Sequence, residues 1–203
     1  MNVRNLGLAL TGLLAGGAAA FLIFSAPPQN VTVSQAPAVS GKALVGGPFA
    51  LTDTAGKHVT DKDFLGHPML VFFGYTHCPD ICPSGLQVMS AALDKLGDKG
   101  KNVTPVFITF DAERDTPEAL AQYVKSFHPR LVGLTGNVEE IATAAKAYRV
   151  YYQKIPDEKS PKDYTYDHSA FIFVMGADGN FITHIPLTTD VDQVVSVLNK
   201  SLS

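Results

Sequence analysis

The chain has 203 residues, of which 46% are apolar, enough to bury the core of one globular domain. Its formal net charge is -3 and its basic residues form no cluster, which argues against a nucleic-acid partner and against a polybasic lipid-binding patch. Only two cysteines are present, Cys78 and Cys82, so any thiol chemistry must involve this pair.

The N-terminal region predicts a membrane anchor. Residues 6–24 are apolar or small and carry no charge, close to the ~20 residues with which a helix crosses a bilayer. Arg4 precedes this run and the next basic residue is Lys42, so the positive-inside rule keeps the N-terminus cytoplasmic and exports the rest of the chain. We therefore predict an uncleaved signal anchor over residues 1–25, with a single pass through the inner (cytoplasmic) membrane.

A cleavable signal peptide is the alternative, because small residues at 18–20 and 25–26 resemble a cleavage site. Both interpretations place the domain on the periplasmic or extracytoplasmic side, where disulfides persist. Residues 26–46 are rich in proline and serine and lack apolar periodicity, which predicts an extended tether. The folded domain is expected over residues 47–203.

The first half of this domain alternates strands and helices. Residues 49–60 predict a β-hairpin, and the apolar run 69–75 predicts a strand covered on both faces. An amphipathic helix is expected from Pro83, and a second buried strand over residues 103–110.

The second half continues the alternation. Thr116 caps a predicted helix, residues 131–134 predict a short strand, and Asn137 begins a capping-box-like helix start. The polar segment 150–167 predicts an insertion loop or an irregular hairpin.

The C-terminal part predicts a second hairpin and a last helix. Residues 170–175 and 181–185 are the expected strands, joined by a Gly-rich turn, and the amphipathic helix begins at Asp190. The order of elements predicts an α/β fold, with a mixed sheet flanked by helices.

The cysteine pair carries the chemistry. Cys78 and Cys82 lie within the segment 75–83, YTHCPDICP, directly after a predicted strand. In one helical turn, their Cβ atoms would be about 5–6 Å apart, near enough for a shared metal ion and somewhat wide for a disulfide.

Because a residue before proline avoids helical geometry, we predict that Cys82 caps a helix beginning at Pro83 and that both sulfurs lie on a loop. The helix dipole would favour thiolates there. Two packed, inert cysteines are the structural alternative.

Three motifs together resemble the Sco (SenC) family of copper chaperones for cytochrome oxidase. They are GYTHCPDICP at 74–83, DAERDTP at 111–117 and DHS at 167–169. The resemblance implies a thioredoxin-like fold and a copper site made by Cys78, Cys82 and His168. Two thiolates and one imidazole suit Cu(I), accept Cu(II), and would also hold zinc with a water ligand.

The resemblance further implies a metallochaperone that binds one copper ion and delivers it to the dinuclear copper site of a terminal cytochrome c oxidase. Its expected partners are the copper-accepting oxidase subunit, a thiol reductant or upstream copper donor, and the membrane. The alternative is an enzyme, a thiol-disulfide oxidoreductase that reduces the cysteines of the oxidase subunit with Cys78 and Cys82 as its redox-active pair.

Four further residues are candidates near the site. Asp111 follows the second core strand and is predicted to support the metal ligands from outside, although a pair with Arg114 or a turn hydrogen bond explains it equally well. Arg114 and Asp115 predict a loop ion pair. His77 adjoins the cysteines, but a structural or solvated role is favoured over a ligand role.

Overall fold

A mixed sheet of seven strands lies at the centre of the described part of the chain. The computed structural model describes residues 44–157, 160, 163–187 and 190–202. The strands of the described residues are β1 (Ala50–Asp53), β2 (His58–Thr60), β3 (Met69–Gly74), β4 (Thr104–Thr109), β5 (Val132–Thr135), β6 (Tyr152–Pro156), β7 (Tyr164–His168), β8 (Phe171–Met175) and β9 (Phe181–Pro186). The seven-stranded sheet has the order β2-β1-β5-β4-β3-β8-β9, and β6 and β7 lie outside it.

Helices cover this sheet. They are α1 (Ile81–Lys95), the short α2 (Asp98–Lys101), α3 (Pro117–Val124), α4 (Val138–Ala147) and α5 (Val191–Ser201), and a 3-10 turn spans Asp61–Phe64. α1 packs against α5, α3 against β5, and α4 against β1. The predicted caps form: Thr116 accepts a hydrogen bond from the backbone of Ala119, and Asn137 and Glu140 make a reciprocal capping box.

β3 is an interior strand of this sheet, between β4 and β8, and its six residues MLVFFG are all buried. Successive side chains of a strand point to opposite faces, so burial of the whole run requires cover on both faces of the sheet. β3 runs parallel to β4 and antiparallel to β8. The carboxyl ends of β3 and β4 therefore meet at one edge of the sheet, and the segments that follow these two strands are neighbours there.

The polar segment 150–167 forms the hairpin that was one of its two predicted structures. Among the described strands, β6 and β7 pair only with each other, in a separate antiparallel sheet, and Tyr152 is the register partner of His168. The N-terminal hairpin β1–β2 and the C-terminal hairpin β8–β9 are confirmed as well.

The predicted anchor at residues 1–25 and nearly all of the tether at 26–46 lie outside the described residues. Within the described ranges, no helix combines the length and the apolar character needed to cross a membrane.

Candidate metal centre

The two cysteines lie where β3 passes into α1. Cys78 lies in the connecting loop and Cys82 in the first turn of the helix, and both are buried free thiols. The backbone N–H of Cys82 donates to the sulfur of Cys78 at 3.3 Å, and the N–H of Cys78 donates to the carbonyl of Tyr75 at 3.3 Å. The loop thus turns the two sulfurs toward each other.

The predicted helix start is wrong by two residues. α1 begins at Ile81 with Asp80 as its N-cap, so Cys82 is helical and is not the cap. Pro83 is tolerated inside the first turn because the first N–H groups of a helix have no carbonyl partner within the helix. Only Cys78 has its sulfur on a loop.

His168 approaches the sulfurs from the end of β7. Its Nε2 lies 3.8 Å from the Sγ of Cys82, although 86 residues separate the two along the chain. Its Nδ1 lies 2.9 Å from the carbonyl oxygen of Ser169. A carbonyl oxygen only accepts hydrogen bonds, so Nδ1 carries the proton and Nε2 directs its lone pair toward the cysteines.

The donor atoms of Cys78, Cys82 and His168 all lie within 4.8 Å of one another. Two sulfurs and one imidazole nitrogen form a soft, low-coordinate set, which fits copper and would fit zinc with an added ligand. The structure thus brings together the three residues that the resemblance implied as ligands, and their spacing leaves room for one ion.

The thiols share one proton unequally. The side chain of Cys82 hydrogen-bonds to Cys78 and lowers the pKa of Cys78 to about 4, against the opposing effect of burial. The same hydrogen bond, together with burial, raises the pKa of Cys82 well above its ordinary value. At neutral pH the reduced site therefore holds one thiolate and one thiol.

The site opens to solvent through a cavity of about 340 Å³. Cys78 and His168 contribute to its wall, as do the rings of Tyr75 and Tyr166 and the exposed side chain of Pro79. An incoming ligand can approach Cys78 and His168 from this side, whereas Cys82 does not line the cavity and is completely buried.

Asp111 lies beyond the end of β4 and is completely buried. Its carboxylate accepts hydrogen bonds from Nε of Arg114 at 2.5 Å and from the hydroxyl of Tyr164 at 2.7 Å. These contacts correct the predicted ion pair between Arg114 and Asp115, because the guanidinium pairs with Asp111. Both the pair with Arg114 and a link to the hairpin that carries His168 are present.

Asp115 has a role that sequence reasoning missed. It is completely buried, and its carboxylate accepts hydrogen bonds from the backbone N–H of Thr76 at 2.9 Å and from the hydroxyls of Thr76 and Thr109 at 2.5 Å each. It thereby ties the end of β4 to the loop that carries Cys78. The segment DAERD contains three acids, and its sequence gives no indication that Asp111 and Asp115 are buried whereas Glu113 is exposed.

His77 faces this acid and not the sulfurs. Its Nδ1 lies 3.0 Å from the hydroxyl of Thr76 and 3.8 Å from a carboxylate oxygen of Asp115, and its ring is exposed. Donor atoms of His77, Asp111 and Asp115 also lie within 4.8 Å of one another. The two carboxylates already accept the hydrogen bonds described above, so this second group is mainly a structural one.

Comparison with known proteins gives one family. A family model described as SCO1/SenC matches residues 37–203. The Protein SCO1 homolog 1, mitochondrial, of Arabidopsis thaliana is 44% identical over 175 residues, which are 86% of this chain and 52% of that protein. The Protein SCO1 homolog, mitochondrial, of Homo sapiens is 48% identical over 146 residues, or 71% of this chain and 48% of that protein. The chain spans about half the length of these two relatives.

A solved structure has the same architecture. The crystal structure of Arabidopsis thaliana ScoI with copper bound superimposes with a TM-score of 0.74 at 45% identity, and the match covers 78% of this chain and 98% of that one. The predicted mixed α/β, thioredoxin-like fold, with its central sheet and flanking helices, is confirmed by this likeness.

Proposed function

This chain belongs to the SCO1/SenC family, and from that premise we propose that it binds one copper ion as cargo through Cys78, Cys82 and His168. The observation that carries the proposal is the convergence of their three donor atoms within 4.8 Å, although the imidazole comes from a separate hairpin. The relative from Arabidopsis thaliana was solved with copper bound, which supports the choice of metal.

The chemistry of the donor set favours copper in either oxidation state. Thiolate ligands select Cu(I), imidazole suits both Cu(I) and Cu(II), and copper binds more tightly than zinc at an equal site. Metal binding requires deprotonated ligands, and the low pKa of Cys78 means that one thiolate is formed before the metal arrives. Only the proton of Cys82 must then be displaced.

Membership in the family supports a proposal for the destination of the copper. We propose delivery to the dinuclear copper site of a terminal cytochrome c oxidase, with the oxidase subunit as acceptor and a thiol reductant or upstream copper donor as further partner. A site with three protein ligands that opens into a cavity lets an acceptor thiol or imidazole attach before the first ligands leave. The chain acts from a single-pass anchor in the inner membrane, with its domain on the periplasmic side.

The test is copper retention by the full chain, reduced and purified in detergent. The parent, given one equivalent of copper, should retain it after desalting, whereas Cys78→Ser, Cys82→Ser and His168→Ala should each bind copper at least tenfold more weakly, since each loses a ligand. His67→Ala is the control, because this histidine is exposed and lies outside the cluster. A parent that retains no copper, or a His168→Ala variant that binds as the parent does, would refute the proposal.

One observation favours the second candidate, a thiol-disulfide oxidoreductase. A thiolate at Cys78 beside a protonated Cys82 is the arrangement of an attacking and a resolving cysteine. In that reaction Cys78 would attack a partner disulfide, Cys82 would resolve the mixed disulfide, and two electrons would pass to the partner as the Cys78–Cys82 disulfide forms. Turnover of a protein disulfide that His168→Ala leaves unchanged, together with no copper retention, would favour this function.

A further inference from the structure

The hairpin that carries His168 is attached to the domain by side chains. β6 and β7 hydrogen-bond with each other and lie outside the seven-stranded sheet. An isolated two-stranded hairpin is marginally stable in water, so its position depends on what it packs against. The placement of the imidazole therefore depends on the short link from His168 to β8 and on the contacts of this hairpin with Tyr75 and with the β4–α3 segment.

The first of these contacts is an aromatic cluster close to the metal centre. The ring of Phe110 stacks on Tyr152 with 5.2 Å between centroids and lies 4.9 Å from each of the rings of Tyr166 and His168. Tyr75 packs against Tyr166 at 5.2 Å. Such contacts hold the hairpin on the domain and favour the face of β7 that carries Tyr166 and His168.

The second contact is polar and directional, and it lies at the other end of β7. Nη1 of Arg114 donates to the carbonyl oxygen of Tyr164 at 3.1 Å, and the guanidinium carbon lies 3.5 Å from the centre of the Tyr164 ring. The hydroxyl of Tyr164 donates to the carboxylate of Asp111 at 2.7 Å, and that carboxylate also pairs with Arg114. The backbone carbonyl and the ring of Tyr164 thus contact Arg114, and its hydroxyl contacts Asp111.

The position of Tyr164 in β7 connects this contact with the metal centre. Residues 164, 166 and 168 are half-buried and alternate with exposed residues at 165 and 167, so the three share the face that lies against the domain. Tyr164 and His168 are four residues apart, about 13 Å along the strand. A slip of one residue would turn His168 away from the sulfurs, because side chains alternate between the two faces.

We propose that Tyr164 and Arg114 are positioning residues for the third metal ligand: by clamping the start of β7 to Asp111 they set the register in which His168 meets Cys82. This inference rests on the proposed copper function and adds to it two residues that touch no metal. Without these contacts of Tyr164 and Arg114, part of the population would hold its imidazole away from the sulfurs. The apparent affinity for copper would then be the parent affinity multiplied by the fraction of molecules that still hold the imidazole in place.

The test compares two tyrosines of the same hairpin in the full chain. Tyr164→Phe removes the hydroxyl that reaches the domain, whereas Tyr151→Phe removes an exposed hydroxyl that bonds to Gln153 within the hairpin at 2.6 Å. We expect copper affinity to fall about threefold to tenfold in Tyr164→Phe and to remain unchanged in Tyr151→Phe. Loss of a hydrogen bond to a charged group changes an equilibrium by about tenfold or more. The aromatic cluster should keep part of the population docked, so the expected loss is smaller than that.

A spectroscopic readout separates positioning from general destabilisation. The Cu(II) electron paramagnetic resonance spectrum of Tyr164→Phe should contain two components, one like the parent and one like His168→Ala. Arg114→Lys should show the same mixture, because an ammonium cannot reproduce the planar fork of the guanidinium. Adding Tyr164→Phe to His168→Ala should cost no further affinity, since the clamp acts only through the imidazole.

The outcomes are distinct from those of the proposed function. A parent that binds no copper refutes the function itself. A parent that binds copper, with Tyr164→Phe indistinguishable from Tyr151→Phe in affinity and spectrum, overturns the clamp alone. Equal losses from Tyr164→Phe in the parent and in the His168→Ala background would overturn it too, because the effect would then not pass through His168.

Discussion

Gly74, the last residue of β3, is the position where one added methyl group should damage the metal centre most directly. A Cβ at this residue would lie 2.8 Å from a ring carbon of Phe107 and 2.9 Å from the sulfur of Cys82. Ordinary van der Waals contact begins at about 3.4 Å, so the sulfur would have to move by roughly half an ångström. Both neighbours are completely buried and have little free space in which to move.

For Gly74→Ala we therefore expect two effects. Overpacking should lower the free energy of unfolding by about 1–3 kcal/mol. Copper affinity should fall by about tenfold, since ligand positions must be held to about 0.5 Å for full binding. Urea unfolding followed by tyrosine fluorescence measures the first effect, and competition with a chelator of known copper affinity measures the second.

The matched control is Gly133→Ala in β5. A Cβ there would lie 2.9 Å from a side-chain carbon of Leu120 and 3.0 Å from one of Val124, which is similar crowding against apolar side chains and not against a metal ligand. It should cost similar stability and leave copper affinity unchanged. Equal loss of copper affinity in both variants, or a Gly74→Ala variant that binds copper as the parent does, would contradict a direct effect on the metal ligand Cys82.

Further predictions concern the two thiols and the buried acid that holds their loop. Titration of the reduced protein by thiolate absorbance should show one thiolate forming near pH 4, at Cys78, while Cys82 stays protonated into the alkaline range; two thiols titrating together near their ordinary pKa would contradict the shared proton. Because the folded pKa of Cys78 is depressed, its contribution to stability should grow as pH rises from about 4 toward the ordinary thiol range and be lost as pH falls through about 4. Asp115→Asn should lower the free energy of unfolding by about 1–3 kcal/mol, because the buried carboxylate accepts three hydrogen bonds from N–H and O–H donors and an amide nitrogen cannot accept. The exposed Glu118→Gln serves as control, and equal stability of the two variants would contradict the role given to Asp115.

The strands and helices were predictable because their patterns are local. The buried run of β3 and the caps at Thr116 and Asn137 depend on residues close to one another in sequence, and each element formed where the pattern placed it. The start of α1 was not predicted, because the preference of a residue before proline for extended geometry is steric and has exceptions, and Cys82 is one of them. The N–H that Pro83 lacks lies in the first turn, where no helical carbonyl needs it.

Contacts across the fold could not be derived from local pattern. The pairing of Arg114 with Asp111, and the inward turn of Asp115, depend on the loop after β4 meeting the cysteine loop and the β6–β7 hairpin. The four charged residues within positions 111–115 allow several pairings, and the sequence alone does not distinguish between them. His168 was selected among six histidines through the family resemblance, since nothing in its local sequence marks it as the residue that meets the sulfurs.

The most direct measurement is X-ray absorption at the copper edge on the reduced, copper-loaded full chain, repeated for His168→Ala and for the control His67→Ala. We expect two sulfur neighbours and one imidazole nitrogen in the parent and in His67→Ala, with the imidazole signal absent from His168→Ala. An imidazole signal that persists in His168→Ala, or a parent spectrum with only one sulfur neighbour, would contradict this expectation.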